Sequence, residues 1–386
     1  MRHAPHSGMT GAHVREVLFV VGEASGDLHA GKVAEALAAL RPGTPMAGVG
    51  GVHMRQAGVE IIEDVERLAV MGFVEVLRHV PKHWQLLRHL EARMRSGRVA
   101  LVVVLDYPGF NMKVAAAARR HGIPVLYYIT PQVWAWGAKR LPRLAQVVTK
   151  AASILPFEEA LLRAHGIDAT FVGHPLLDRA GALPTPEQAR LQLGLRADAP
   201  VLAVFPGSRR AEIERHLLPF VDTAIELQRR IPTLQAVVSV APTVRIDARA
   251  CPLPLVQGAP FLVQRAATAG LLKSGTNTLE AAVAGLPHVI GYRTSPLTYA
   301  IARRVVKIPH IGLVNVVAGR ELSREFVQDA FAPSVVADAI QPLLDIGSVA
   351  RRQAVDGLAG VRDQLGTPGA SVRVARMIAE LMGERR

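Results

Sequence analysis

The feature that most constrains this chain is a rhythm. Short apolar runs of strand length each stop at a turn rich in Gly, Pro, Asp or Ser, and a helix-length segment follows. Residues 17–21, 101–105 and 125–129 set this pattern in the first half; 201–205, 236–240 and 288–292 repeat it in the second. Continuous apolar strands alternating with helices specify parallel sheets, because parallel strands need a crossover and the crossover covers the sheet face. The rhythm lapses near 181–200, where Pro184, Pro186 and Pro200 gather, and then restarts. A chain of 386 residues has room for two such sheets. The expectation is α/β: a parallel-sheet domain over 1–185, a second over 186–365, and a C-terminal helical segment over 366–386 packing back on the first.

Composition narrows the class. Half the residues are hydrophobic and mean hydropathy is +0.23, so both cores can form without disulfides or metals. Cys251 stands alone and cannot pair within the chain, which suits a reducing compartment. Residues 1–15 lack the apolar core of a signal peptide, and the apolar run 99–105 is far too short to span a membrane. A cytoplasmic protein is expected. The net charge of +13 is spread over both halves and attracts phosphates, nucleic acid or anionic membranes. RNA binding needs aromatic platforms, yet only 5% of residues are aromatic and no RNA-binding signature appears, so no nucleic-acid partner is expected.

Two near-motifs fail. Gly26 to Lys32 follows the spacing of a phosphate-binding loop, but Val33 stands where a hydroxyl must hold magnesium. Gly48 and Gly50 begin a dinucleotide fingerprint whose third glycine is His53. His79 and His83 share a helical spacing with Pro81 between them, and no metal site is expected.

Several strand-to-helix turns do carry chemistry. In the second half, Lys273-Ser274-Gly275-Thr276-Asn277 opens a helix, and Ser208-Arg209-Arg210 forms another such turn. Glycine admits a phosphate to the backbone, and the helix N-terminus supplies amides. A plain capping box between Asn277 and Glu280 is the alternative. The first half instead places carboxylates at strand ends: Glu23 and Asp27 in 22–27, and Asp106 ahead of Tyr107-Pro108-Gly109-Phe110-Asn111. These suit a hydroxyl acceptor and a general base, or in the simpler case cap helices. Val70, Phe73, Val74 and Leu77 form an apolar stripe that Leu86, Leu87, Leu90 and Met94 continue. Trp84, Arg78, Lys82, Arg88 and Arg93 surround it, so the segment fits either a membrane interface or the protein core.

The ordered motifs V-V-G-E-A-S-G-D (20–27), L-A-V-M-G-F-V-E-V-L (68–77), D-Y-P-G-F-N (106–111), P-Q-V-W-A-W (131–136), F-P-G-S-R (205–209), S-G-T-N-T-L-E (274–280) and G-R-E-L (319–322) resemble those of the lipid-A-disaccharide synthase family. The resemblance implies a GT-B glycosyltransferase fold, two Rossmann-like domains facing a cleft. It implies inverting transfer from UDP-2,3-diacylglucosamine to 2,3-diacylglucosamine 1-phosphate (lipid X), with no cofactor. It casts Asp106 as the base. Arg209, Ser274, Gly275, Thr276, Glu280, Arg293 and Asn315 would hold the UDP donor, and Glu23, Ser25, Asp27 and Asn111 would line the acceptor side. Val314 replaces the family's usual proline beside Asn315. Acylated substrates favour the membrane reading of Val70, Phe73, Val74, Leu77, Arg78, Lys82, Trp84 and Arg88, hence peripheral association with an anionic inner-membrane surface. A homodimer exchanging C-terminal segments is also compatible with the family. The rival on the same fold is another UDP-sugar enzyme, such as a 2-epimerase, which has no use for an acyl-compatible stripe.

Overall fold

The computed structural model describes residues 15–67, 73–181, 183–305 and 308–383. They form two compact units, Met1–Val172 with Gly369–Arg386, and Gly173–Pro368. No helix among the described residues is long and apolar enough to cross a membrane.

The first unit is built on seven parallel strands: β1 Glu16–Val20, β2 Met46–Gly50, β3 Glu60–Asp64, β4 Val99–Leu105, β5 Val125–Tyr128, β6 Lys150–Ser153 and β7 Ala169–Phe171. Their order is β3-β2-β1-β4-β5-β6-β7. β4, with the sequence VALVVVL, is buried throughout, as a central strand covered on both faces must be. Val20 pairs with Val49 on one side and Val104 on the other. The connection after β1 leads to one side of the sheet, while β4 begins the other. A crevice therefore opens between the carboxyl ends of β1 and β4, the place where open α/β sheets bind ligands.

The helix Ala370–Gly383 belongs to this unit. Val374, Ala375, Met377, Ile378 and Leu381 share a core with Ala30, Val33 and Leu37 of the helix Ala24–Leu40. Each large aliphatic side chain buried in this way contributes about 1.5–3 kcal/mol relative to exposure. Arg373 Nε donates to Val172 O at 2.7 Å and Arg41 Nη1 to Ala379 O at 3.2 Å.

The second unit repeats the plan with β8 Val201–Phe205, β9 Gln235–Val240, β10 Leu255–Gln257, β11 Ala269–Lys273, β12 His288–Tyr292 and β13 Glu325–Val327, in the order β10-β9-β8-β11-β12-β13. Its switch point lies between β8 and β11.

The boundary between units falls at 172/173 and not at the 185/186 read from the prolines. One of those prolines begins a helix. Pro186 is its first residue, and Thr185 and Gln188 close a reciprocal capping box. Arg190 fastens this helix to the second unit through Ala266 O (2.9 Å) and Thr268 Oγ1 (3.0 Å), and Arg265 Nε donates to Pro184 O at 3.0 Å. Residues 366–368 likewise belong to the second unit.

Candidate active site

In the first unit, Asp106 follows β4 at the switch point. Asp106, Tyr107 and Ile129 all adopt left-handed backbone, with φ of 47°, 45° and 57°. That conformation costs a side-chain-bearing residue about 1–2 kcal/mol, and it persists only where neighbours hold it. Here they do. Asp106 O accepts from Tyr127 Oη at 2.7 Å and Asn111 Nδ2 at 2.8 Å, and Asp106 N donates to Ile129 O at 3.3 Å. Ile129 N donates in turn to Ala152 O at 3.2 Å. The backbone of Asp106 is fixed from three sides while the residue itself stays half-buried.

Tyr107 completes the turn. A Cβ on Gly22 would lie 2.1 Å from Tyr107 Cγ, so only glycine lets the ring lie across the end of β1. The Tyr107 hydroxyl sits 2.8 Å from His83 Nε2, and both rings pack near Phe110. Burial pushes the phenol of Tyr107 up; Tyr127 is pushed well above its ordinary value, by burial and then by the Asp106 charge.

Glu23 and Ser25 stand exposed at the end of β1, where Ser25 Oγ donates to Glu23 Oε1 at 2.6 Å. Two expected acceptor contacts need correction. Asp27 is buried, and its carboxylate accepts from Gly51 N (2.6 Å), His53 N (2.9 Å) and Met54 N (3.2 Å). It caps the distant helix Val52–Gln56 and not its own. Asn111 is fully buried, its Nδ2 serving Leu105 O, Asp106 O and Val20 O, so it positions Asp106 and does not face an acceptor.

Sequence reasoning missed Glu158, which resembles any acid in a first helical turn. It is 2% exposed, accepting from Trp134 Nε1 at 3.1 Å and Leu155 N at 3.2 Å. Burial raises its pKa to about 7 against the opposing pull of those hydrogen bonds.

The basic stripe divides. Val70 lies outside the described residues, as do the side chains of Phe73, Val74, Leu77 and Arg78. Leu86, Leu87, Leu90 and Met94 are core. Arg93 is not available to headgroups: it pairs with Glu16 at 2.6 Å and Glu60 at 2.8 Å. Lys82 and Arg88 are exposed, and Trp84 is 51% exposed with Lys113 Nζ 5.0 Å from its ring centre.

In the second unit, the turns after β8 and β11 meet. Glu212, in the first turn of the helix Arg210–Arg230, accepts from Ser208 N at 2.9 Å and Arg209 N at 3.3 Å through Oε2. Its Oε1 takes Lys273 Nζ at 2.8 Å. The Arg209 side chain is 72% exposed, 3.8 Å from the same carboxylate. Ser274 Oγ donates to Ile311 O at 2.7 Å, and Thr278 Oγ1 to Gly275 O at 2.8 Å. The capping box of Asn277 and Glu280 does not form. Thr276 is the N-cap of the helix Asn277–Ala284 and makes no side-chain cap bond, and Asn277 Oδ1 is buried without a hydrogen-bond partner. Burial raises the pKa of Glu280, only partly countered by Arg179.

Two residues expected to hold the donor brace the fold, Arg293 through one bond of a part-buried guanidinium and Asn315 with both its polar atoms committed. Arg293 Nη2 donates to Phe331 O at 2.6 Å with the guanidinium 5.4 Å from that ring's centre, while its backbone N donates to His216 Nε2 at 2.8 Å. Asn315 is fully buried. Its Oδ1 accepts from Leu322 N (2.9 Å) and Ser323 N (2.8 Å), and its Nδ2 donates to Ser323 O (2.7 Å) and Glu325 Oε1 (2.8 Å). Glu325 also accepts from Ile311 N and Gly312 N, so Asn315 secures the loop to which Ser274 is tied. Val314, in place of the proline, is buried and donates its N–H to Thr278 Oγ1 at 3.4 Å, a bond proline cannot make.

Two doubly wound parallel sheets, each with its chemistry at the switch point, define the GT-B class of nucleotide-sugar enzymes. The chain is similar in fold to UDP-GlcNAc 2-epimerase from Neisseria meningitidis (TM-score 0.65, 13% identity, covering 95% of this chain and 100% of that one). It is likewise similar to the calicheamicin glycosyltransferase CalG4 (TM-score 0.58, 19% identity, covering 96% and 99%). The profile of the lipid-A-disaccharide synthetase family matches residues 17–366. Lipid-A-disaccharide synthases from Syntrophotalea carbinolica (40% identity, 96% of each chain) and Geobacter sulfurreducens (38%, 98% of this chain and 100% of that one) align along nearly the whole sequence. The chain belongs to the lipid-A-disaccharide synthase family, UDP-sugar glycosyltransferases of lipid A biosynthesis.

Proposed function

We propose that the protein transfers the sugar of UDP-2,3-diacylglucosamine to the 6-hydroxyl of lipid X by a single in-line displacement, with Asp106 as general base. An α-linked donor and a β-linked product require inversion. The acceptor oxygen forms its bond to C1 as the bond from C1 to the diphosphate breaks; the hydroxyl proton passes to the Asp106 carboxylate, and UDP carries away the electron pair. The observation that supports this most is the fixed, left-handed backbone of Asp106 at the switch point. Strain kept in place by three hydrogen bonds is typical of residues whose aim matters more than local stability.

On the donor side, Arg209 and the uncapped N-terminus of Asn277–Ala284, with Ser274, Gly275 and Thr276 around it, supply positive potential for the departing diphosphate. Glu280 accepts from the ribose hydroxyls, which would supply polar partners for a carboxyl that burial disfavours as an ion. On the acceptor side, Glu23 and Ser25 contact the sugar of lipid X. Acylated substrates are reached at an anionic membrane surface, where Trp84 enters the acyl boundary beside Lys82 and Arg88.

Asp106→Asn keeps the shape of the side chain but cannot take the proton. Turnover is expected to fall roughly 10²–10⁴-fold with the fold intact. A folded variant working near the parental rate would exclude Asp106 and shift attention to Glu23.

A further inference from the structure

We propose that Lys273 is a catalytic residue of the second unit, its ammonium binding the diphosphate of the UDP-sugar and offsetting the charge that builds on UDP as it departs. This rests on the reading above, in which the donor occupies the β8/β11 switch point, and adds a residue to it.

Position is the first argument. β8 and β11 are neighbours whose connections leave toward opposite sides of the sheet, and Lys273 is the last residue of β11. The helices Arg210–Arg230 and Asn277–Ala284 begin beside it. Nζ lies 3.8 Å from where a Cβ on Gly275 would stand, so the ammonium overlooks the bare glycine of the turn. Asn277 Oδ1, the buried oxygen without a partner, lies 3.7 Å from that same point. An unpaired acceptor and an ammonium that both approach one bare glycine match a ligand carrying both hydroxyl donors and anionic oxygens, as a nucleoside diphosphate does.

The company Lys273 keeps is the second argument. Its side chain and that of Glu212 are only 16% and 15% exposed. A buried ion pair gains little stability over an apolar pair of the same volume, so stability alone does not account for it. Burial works against the Glu212 carboxylate, but the Lys273 ammonium and the Ser208 amide outweigh it and hold its pKa below the ordinary value. One carboxylate thus gathers an ammonium and the amides of Ser208 and Arg209. These are donors of the kind that bind phosphate oxygens. Ammonium carries three protons, and one is spent on Glu212. No proton need move from Lys273 in the reaction: as the C1–O bond breaks, the electron pair stays on the β-phosphate oxygen and the fixed charge stabilises it.

The test compares UDP with uridine, which shares the base and ribose but lacks phosphates. In the full chain, Lys273→Met should weaken UDP binding about 10–100-fold by calorimetry, leave uridine binding unchanged and slow turnover. Lys273→Arg should recover part of both losses. Because Lys273→Met strands the Glu212 charge, the double variant Lys273→Met/Glu212→Gln is measured as well. It should fold as the parent does and still bind UDP weakly. The proposal is overturned if Lys273→Met binds UDP as the parent does, if UDP and uridine weaken equally, or if the double variant regains UDP. A parent protein that releases no UDP from the two acylated sugars would instead defeat the underlying reading, before any variant is compared.

Discussion

Asp106, Tyr107 and Ile129 occupy backbone conformations that a free peptide avoids, and the residues around them explain why the fold keeps all three. Tyr127 and Asn111 commit buried polar groups to a single carbonyl, and Gly22 leaves the space that Tyr107 fills. Buried titratable groups elsewhere make stability depend on pH. His288 is fully buried, with Nδ1 at 2.9 Å from Leu286 O and Nε2 at 3.2 Å from Ser323 Oγ; burial pushes its pKa down to about 4. His216 is lowered for the same first reason. A histidine held neutral contributes stability that is complete above its unfolded pKa of about 6.5 and is lost as pH falls from there through the folded value. For His288 the full effect is of order 3 kcal/mol. Glu158, raised to about 7, acts oppositely, costing stability as pH rises from the ordinary carboxylate range toward neutrality. Urea unfolding at pH 7 and pH 5 should show the parent losing more stability on acidification than His288→Asn. Equal losses would show that His288 is not the source. None of this was legible in the chain, where His288 is simply the first residue of an apolar run and Glu158 an ordinary helix-starting acid.

At the scale of elements, the strand–turn–helix rhythm located the central strands because long apolar runs leave few other solutions. It said less about what each turn residue does. Asp27 and Asn315 lie in motifs that suggest ligand contact, yet both serve backbone amides, Asp27 at the start of the helix Val52–Gln56 and Asn315 at Leu322 and Ser323, which spacing alone does not reveal. The helix Phe73–Arg95 shows the same limit: its later apolar residues are core, and Arg93 is bound to Glu16 and Glu60. Among the described residues that this helix leaves exposed are Lys82, Trp84 and Arg88. Each basic residue at an anionic surface is worth about 1 kcal/mol within a Debye length. Replacing all three with serine should weaken binding to vesicles containing anionic lipid about tenfold or more, flatten its salt dependence and spare turnover of a short-chain soluble substrate. Unchanged vesicle binding by the folded variant would remove this helix from the membrane surface.

For the whole molecule, two sheets of the same winding were readable because the second half repeats the pattern of the first. The division between them was not, since prolines that begin a helix and prolines that form a linker look alike in one dimension. The expected return of a C-terminal helix to the first unit is made by Ala370–Gly383, though which residues of the helix Ala24–Leu40 it meets only the folded chain displays. The central claim is inverting sugar transfer with Asp106 taking the acceptor proton, and product analysis tests it most directly. Purified protein is given UDP-2,3-diacylglucosamine and lipid X, and UDP and sugar products are quantified and their anomeric linkage read by NMR. The account predicts one UDP per β-linked disaccharide phosphate, with the rate falling roughly 10²–10⁴-fold in Asp106→Asn. Release of UDP with free sugar, epimerised donor without UDP release, or an Asp106→Asn enzyme as fast as its parent would contradict it.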